Sequence, residues 1–199
     1  MTISGNISIE SITPGLTSKA IADFCSGLGT MFDLKIKHDP KDMSQDTLDT
    51  LKGNFKNLTA VYALQTKGSL NGPVYILLDQ RGVFTLSGII VMHPQKRINE
   101  NCVKGTMDDV NPIIDAVQEL GNLFRGEFDK ALRDQFKDQT HLQLTDTKIG
   151  YLNEFPEGFF KISETEEFCY APYEVTVGSY DPFVCAVIMP ASLVSDQPE

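Results

Sequence analysis

Residues 21–32 read IADFCSGLGTMF and residues 113–124 read IIDAVQELGNLF. At a constant offset of 92, Ile21 aligns with Ile113, Asp23 with Asp115, Cys25 with Val117, Leu28-Gly29 with Leu120-Gly121 and Phe32 with Phe124. No other feature restricts the chain as much, because a duplicated unit calls for an arrangement in which two like pieces share one core. Strand-like sequence follows each copy. The expected fold is therefore α/β, a two-layer sandwich of a β-sheet with long helices on one face, built from two pseudo-symmetric halves. One domain spans 1–199, with halves at about 16–95 and 106–190 and no linker-like stretch between them.

Periodicity places the remaining elements. A helix starts near Thr17 or Ser18, after Pro14 and Gly15, and runs to Phe32. Residues 34–37 alternate as a short strand, and 39–54 read as a polar loop with one helical turn at 48–52. LTAVYALQT (58–66) and PVYILL (73–78) have strand character, and turn residues separate them. A helix covers 83–92 and stops before Pro94. The longest helical pattern runs from Asp108 to Lys137, opened by Asp108 or Asp109 with Pro112 in its first turns. Extended segments follow at 142–152, 168–178 and 183–189, the last two joined by the hairpin signal GSYDP. The terminal SDQPE reads as frayed.

Charge narrows the partners. The 27 acidic against 17 basic side chains give a net charge of −10, which argues against binding to nucleic-acid phosphates or anionic membranes, since both require clustered Lys and Arg. Residues 150–199 carry most of it, with 9 acidic and 1 basic side chain. No apolar run approaches ~18 residues, so no membrane span is expected. The opening MTISGNISIES lacks the basic and apolar regions of a signal peptide, which points to the cytoplasm. Cys25, Cys102, Cys169 and Cys185 lie far apart, and mostly apolar neighbours suit three of them to core positions. With three scattered histidines, they offer no metal-ligand spacing.

The second copy of the repeat carries the candidate chemistry. At about 100° per residue, Ile113, Val117, Leu120, Phe124, Phe128 and Ala131 fall on one side, the core face. Asp115, Glu119, Asn122, Gly126 and Asp129 form a stripe opposite it. A carboxylate and a carboxamide one turn apart are thus displayed on an element the core holds rigid, and Gly126 lets a partner approach the backbone closely. Any surface helix shows a polar stripe, and Glu-x-x-Asn by itself is common. Two details favour function over simple solvation. Asn122 is a poor helix former, and Gly121 and Gly126 each cost helix stability of about 1 kcal/mol relative to Ala.

Asp115, Glu119 and Asn122 in the string DAVQELGN, followed by Leu123, Phe124 and Gly126, resemble the signature helix of the CheC/CheX/FliY family of bacterial chemotaxis phosphatases. CheX is the nearer comparison, because only one half keeps both reactive groups. The first half has Gly27 in place of Glu119 and Thr30 in place of Asn122. One departure is the absence, around Leu144, of the proline the family usually carries some twenty residues after the motif.

The resemblance implies a substrate, the aspartyl phosphate of a phosphorylated CheY-like response regulator. Such an acyl phosphate is already activated, so hydrolysis needs mainly a placed water and charge neutralisation. Asn122 would hold the water, Glu119 would pair with the regulator's lysine, and Asp115 and Gly126 would serve partner contact. No metal or cofactor is expected on this chain, since the Mg²⁺ belongs to the regulator. A homodimer is compatible with the family. The competing reading is a non-catalytic FliM-like binding module of the chemotaxis or flagellar switch apparatus, in which the same stripe only docks or is solvated.

Overall fold

The computed structural model describes residues 9–68, 70–136 and 140–190, with backbone only for 9–13. The opening residues on which the absence of a signal peptide was read, Lys137 and the terminal SDQPE lie outside the described residues. Seven strands form one antiparallel sheet: β1 (Ile36–Pro40), β2 (Ser44–Asp46), β3 (Thr59–Gly68), β4 (Gly72–Leu78), β5 (Thr140–Gly150), β6 (Phe168–Val177) and β7 (Phe183–Pro190). The helices are α1 (Ile9–Phe32), α2 (Leu48–Asn54), α3 (Gln80–Ile90), α4 (Gln95–Lys104), α5 (Met107–Val110) and α6 (Ile114–Phe136).

Strand order is β1-β6-β7-β4-β3-β5, with β2 also on β6. Each repeat copy opens a unit of one helix, one edge strand and a later hairpin: α1, β1 and β3–β4, then α6, β5 and β6–β7. Exchanging the two units maps the strand order onto itself. The exchange axis passes through the β4–β7 pairing, where Ile76 faces Val187 and Leu77 faces Ala186. The α/β two-layer architecture is as the sequence indicated.

Alternation explains what each face buries. Ala60, Tyr62 and Leu64 of β3 and Val74, Ile76 and Leu78 of β4 face the helix layer with α1, α3 and α6. Their neighbours Val61, Ala63, Tyr75 and Leu77 face the other way, where α2 and the loop after β5 cover them with Leu48, Leu51, Leu152 and Ile162. Central strands buried on both faces read as near-continuous apolar runs, which is why LTAVYALQT and PVYILL stand out in the sequence.

Helices α1 and α6 lie antiparallel over the sheet. Lys19 Nζ meets Asp134 at 2.6 Å and Lys130 Nζ meets Asp23 at 3.5 Å, so the residue number rises along one helix as it falls along the other. Between them Phe24 and Phe124 stack with ring centroids 3.7 Å apart and planes at 13°, and Tyr62 from the sheet tilts against Phe124 at 5.5 Å. Thr17 Oγ1 and the Tyr173 hydroxyl share a 2.7 Å hydrogen bond that ties α1 to β6.

Several boundaries differ from the sequence expectations. The first helix begins at Ile9, and Pro14 sits inside it, where its missing N–H forfeits one intrahelical hydrogen bond. The long helical pattern is segmented: a capping box of Thr106 and Asp109 opens α5, a 3₁₀ turn spans Asn111–Ile113, and α6 follows. Helix α4 and strand β2 were not expected. Only Ile98 of α4 is buried, and β2 is three polar residues, so neither carries an apolar period. The β6–β7 hairpin forms as expected, with Gly178 at φ +53° in its turn. Among the cysteines, Cys25 and Cys185 are buried and Cys102 and Cys169 half-buried.

Strand β5 contains one irregularity. Ala63 pairs with Asp146 while Leu64 pairs with Leu144, so Thr145 is an extra residue and forms a β-bulge.

Because the Phe24–Phe124 stack joins the two units across the helix layer, Phe124→Ala should destabilise the protein by about 3–5 kcal/mol. Urea unfolding followed by far-UV circular dichroism measures this, and a loss below about 1 kcal/mol would contradict the packing described.

Candidate functional site

The apolar face of α6 is satisfied in full. Ile113, which immediately precedes the helix, and Val117, Leu120, Phe124, Phe128 and Ala131 are all buried. With that side committed to the sheet and α1 along one flank, Asp115, Glu119 and Asn122 are exposed on the outward face. The Asn122 side-chain amide donates to Glu119 Oε2 at 3.2 Å. The carboxylate and the carboxamide are therefore paired side by side, three residues apart on a rigid helix, with their remaining hydrogen-bonding capacity turned to solvent. A Cβ built on Gly126 meets nothing within 4 Å, so the helix surface one turn beyond Asn122 is open.

Asp129 does not belong to this stripe. It is buried at 8% exposure, its Oδ1 accepts the Leu142 backbone N–H at 2.7 Å, and its Oδ2 meets Arg133 Nη2 at 2.9 Å. The 3.6-residue period put it on the outward face. The return of the chain into β5 covers it, and the carboxylate fastens that strand to the end of α6.

Gly121 has a packing role. A Cβ there would lie 2.7 Å from Tyr62 Cδ1 and 3.2 Å from Leu144 Cδ2. The helix is seated directly on β3 and β5 at this residue, between Glu119 and Asn122. Its helix-propensity cost, read from the sequence as a functional signal, is accounted for by close approach. Leu144 stands in the stretch where the family pattern has a proline, and it forms part of the floor behind the pair.

The first-half copy has taken a different course. Asp23, the counterpart of Asp115, lies between Lys19 Nζ at 3.6 Å and Lys130 Nζ at 3.5 Å. Gly27 leaves space into which Glu127 of α6 extends, and the Thr30 hydroxyl donates to the Ser26 carbonyl within its own helix. These groups are occupied in holding α1 to α6 or in local bonding.

Burial pushes the Cys25 thiol up to about 12 and the Cys185 thiol well above its usual range, which makes both inert as nucleophiles. Burial also raises the Asp79 carboxyl, opposed by the Gly82 and Val184 backbone N–H groups it accepts from; its task is to cap α3 and tie it to β7. Among the described residues, no three His, Cys, Asp or Glu side chains come together as a metal site.

No family model and no curated protein matches the sequence. Solved structures do match. FliY of Thermotoga maritima superposes with a TM-score of 0.71 at 14% identity, over 90% of this chain and 88% of that one. FliM in the Helicobacter pylori FliM–SpeE complex gives 0.73 at 9% identity, over 95% of both chains. The CheX–CheY–BeF₃–Mg²⁺ complex of Borrelia burgdorferi gives 0.52 at 13% identity, over 87% of this chain and 96% of that one. Identities this low establish a shared fold and leave the chemistry to the residues. The fold is the one common to FliM, FliY and CheX, and its overlap with FliM and FliY is the more complete.

Gly121→Ala tests the seat of the pair. The added methyl meets ring and strand atoms that cannot yield freely, so the variant should lose about 1–3 kcal/mol. Gly126→Ala, in open space, should gain up to about 1 kcal/mol from helix propensity. Thermal unfolding of the two variants checks the opposite signs.

Proposed function

We propose that this protein is an aspartyl-phosphate phosphatase that acts on a phosphorylated CheY-like response regulator in the cytoplasm. The observation that carries this reading is the Glu119–Asn122 pair, bonded at 3.2 Å and displayed on the outward face of α6. Such a helix face can enter a partner's phosphorylation site side chains first. Asn122 donates and accepts through one amide, so it can hold a water in line with the phosphorus atom. The role parallels that of the water-orienting Gln in small GTPases. Glu119 pairs with the regulator's active-site Lys and fixes the register of docking. Its bond to the Asn122 amide limits the rotamers open to both, so less ordering remains to be done on docking. Asp115, one turn before Glu119, supports partner contact, and open Gly126 allows the regulator's backbone to come close.

The regulator brings the Mg²⁺ and the lysine, and this chain supplies a positioned amide and a docking carboxylate. No nucleophilic side chain is needed, because water attacks the acyl phosphate. A CheX has been crystallised with CheY, BeF₃ and Mg²⁺, and that pairing supports the choice of partner. A second copy of the chain is compatible with this reading.

A second reading has its own observation. The overlap with FliY and FliM is more complete than that with CheX, which supports a switch-type docking module. On that reading the regulator, or another chemotaxis protein, binds the α6 face and keeps its phosphate.

The two readings separate in one assay. A CheY-type receiver domain charged with acetyl phosphate and Mg²⁺ is mixed with the protein, and loss of phosphate is followed after the donor is removed. Wild type should accelerate the loss, and Asn122→Ala should lower the rate by about 10²-fold because the water is no longer placed. Glu119→Ala should chiefly weaken binding, through loss of a charge pair worth about 2–5 kcal/mol. Binding of the charged receiver without acceleration, across the regulators of the source organism, would establish the docking module instead.

A further inference from the structure

We propose that Thr145 is a positioning residue for the Glu119–Asn122 pair, acting through the bulge it forms in β5. The inference rests on reading those two side chains as the working pair. It starts from side-chain parity. Leu142 lies in the helix-layer core, and Leu144 and Ile149 pack against that same core. In a regular strand, residues five apart point to opposite faces, so Leu144 and Ile149 cannot both face the helices unless one residue is added between them. Thr145 is that residue. Beyond the bulge the parity is switched, and Lys148 reaches the other side, with Nζ 6.0 Å from the centroid of the Phe159 ring.

A bulge interrupts the ladder and leaves partner-strand backbone groups to be satisfied by other means. Here the Thr145 hydroxyl donates to the Ala63 carbonyl at 3.0 Å, across the point where the register shifts. That bond fixes the position of the residue immediately before it. Leu144 Cδ2 lies 3.2 Å from the Cβ position of Gly121, which in turn immediately precedes Asn122. A continuous line of contact therefore runs from the Thr145 hydroxyl through the bulge to Leu144, to the backbone of Gly121, and to the first atoms of Asn122.

The side chain of Thr145 is exposed, so hydrophobic burial does not account for its place. A valine has nearly the same shape without the donor, and a serine keeps the donor without the methyl group. The two substitutions separate hydrogen bond from bulk.

The test uses the full chain in three variants, Thr145→Val, Thr145→Ser and Leu144→Ala. The first measurement is nuclear magnetic resonance, following the side-chain amide signals of Asn122 and the cross-relaxation between the Leu144 methyls and the Gly121 α-protons. Thr145→Val should lose that cross-relaxation and move the Asn122 amide signals, Leu144→Ala should move them likewise, and Thr145→Ser should keep the wild-type pattern. The second is turnover of an acetyl-phosphate-charged CheY-type receiver. Thr145→Val should lower kcat roughly tenfold with KM within about twofold, and Thr145→Ser should restore it.

Unchanged Asn122 signals in Thr145→Val, or a serine variant as impaired as the valine, overturns the proposal. So does full turnover in a valine variant that has lost the Leu144–Gly121 contact. If wild type shows no turnover at all, the phosphatase reading fails by itself and the resonance measurement alone decides the role of Thr145.

Discussion

The stacking of Phe24 on Phe124 is the contact on which the other features depend. It binds the first helix to the sixth across 100 residues of chain, and Tyr62 of β3 tilts against Phe124 beneath it. Once both rings are committed inward, the rotation of α6 about its own axis is fixed. Side chains half a turn away from Phe124 then have no choice but solvent. Asp115, Glu119 and Asn122 owe their exposure to that constraint, and no separate device is needed to present them. The Gly121 seat sets the remaining degree of freedom, the height of the helix above the sheet.

The two units share a topology and differ in how they use their polar faces. In the first, Asp23 is held between Lys19 and Lys130, and Glu127 reaches toward the gap at Gly27. Charges spent in this way hold one helix to the other, with each exposed pair contributing only up to about 1 kcal/mol. In the second, Asp115 makes no ion pair among the described residues, and Glu119 bonds only its neighbour Asn122. A fold of two like units can divide its labour in this manner because Ile21 and Leu28 on one helix side, and Ile113 and Leu120 on the other, are buried and hold both helices down. The polar positions are then released from any common duty.

What could be read in the sequence follows from which forces leave a periodic trace. Burial of one helix face repeats every three or four residues, so the core side of α6 and its opposite stripe were legible down to single positions. Strands buried on both faces stood out as apolar runs. Asp129 was misplaced because its burial comes from a later strand folding back, which helical periodicity does not encode. Gly121 drew attention for the right reason, its cost to the helix, but the gain lies in a contact with Tyr62 and Leu144 that only tertiary structure supplies. The bulge left a trace that alternation alone passes over, since Leu142, Leu144 and Ile149 are spaced two and then five residues apart. Helix α4 left none, because a helix anchored by a single buried Ile98 has no apolar period.

The acidic excess of the C-terminal quarter takes on a definite meaning once it is placed. Glu154, Glu157, Glu164, Glu166 and Glu167 lie in the segment between β5 and β6, whose apolar residues Leu152, Phe155, Phe159, Phe160 and Ile162 pack on the face of the sheet turned away from α1 and α6. The sheet and the helix layer stand between those carboxylates and Glu119. The helix side carries Lys19, Arg125, Lys130 and Arg133 among its own acids, so its local charge is far more balanced than −10 suggests. That distribution matters for any partner that presents a phosphoryl group in an acidic pocket. Had the five glutamates lain beside Asn122, approach would have been opposed over distances set by the Debye length, about 8 Å at physiological salt. Placed behind the sheet, they leave the helix face less acidic than the chain as a whole, with Glu119 as the carboxylate bonded to the Asn122 amide.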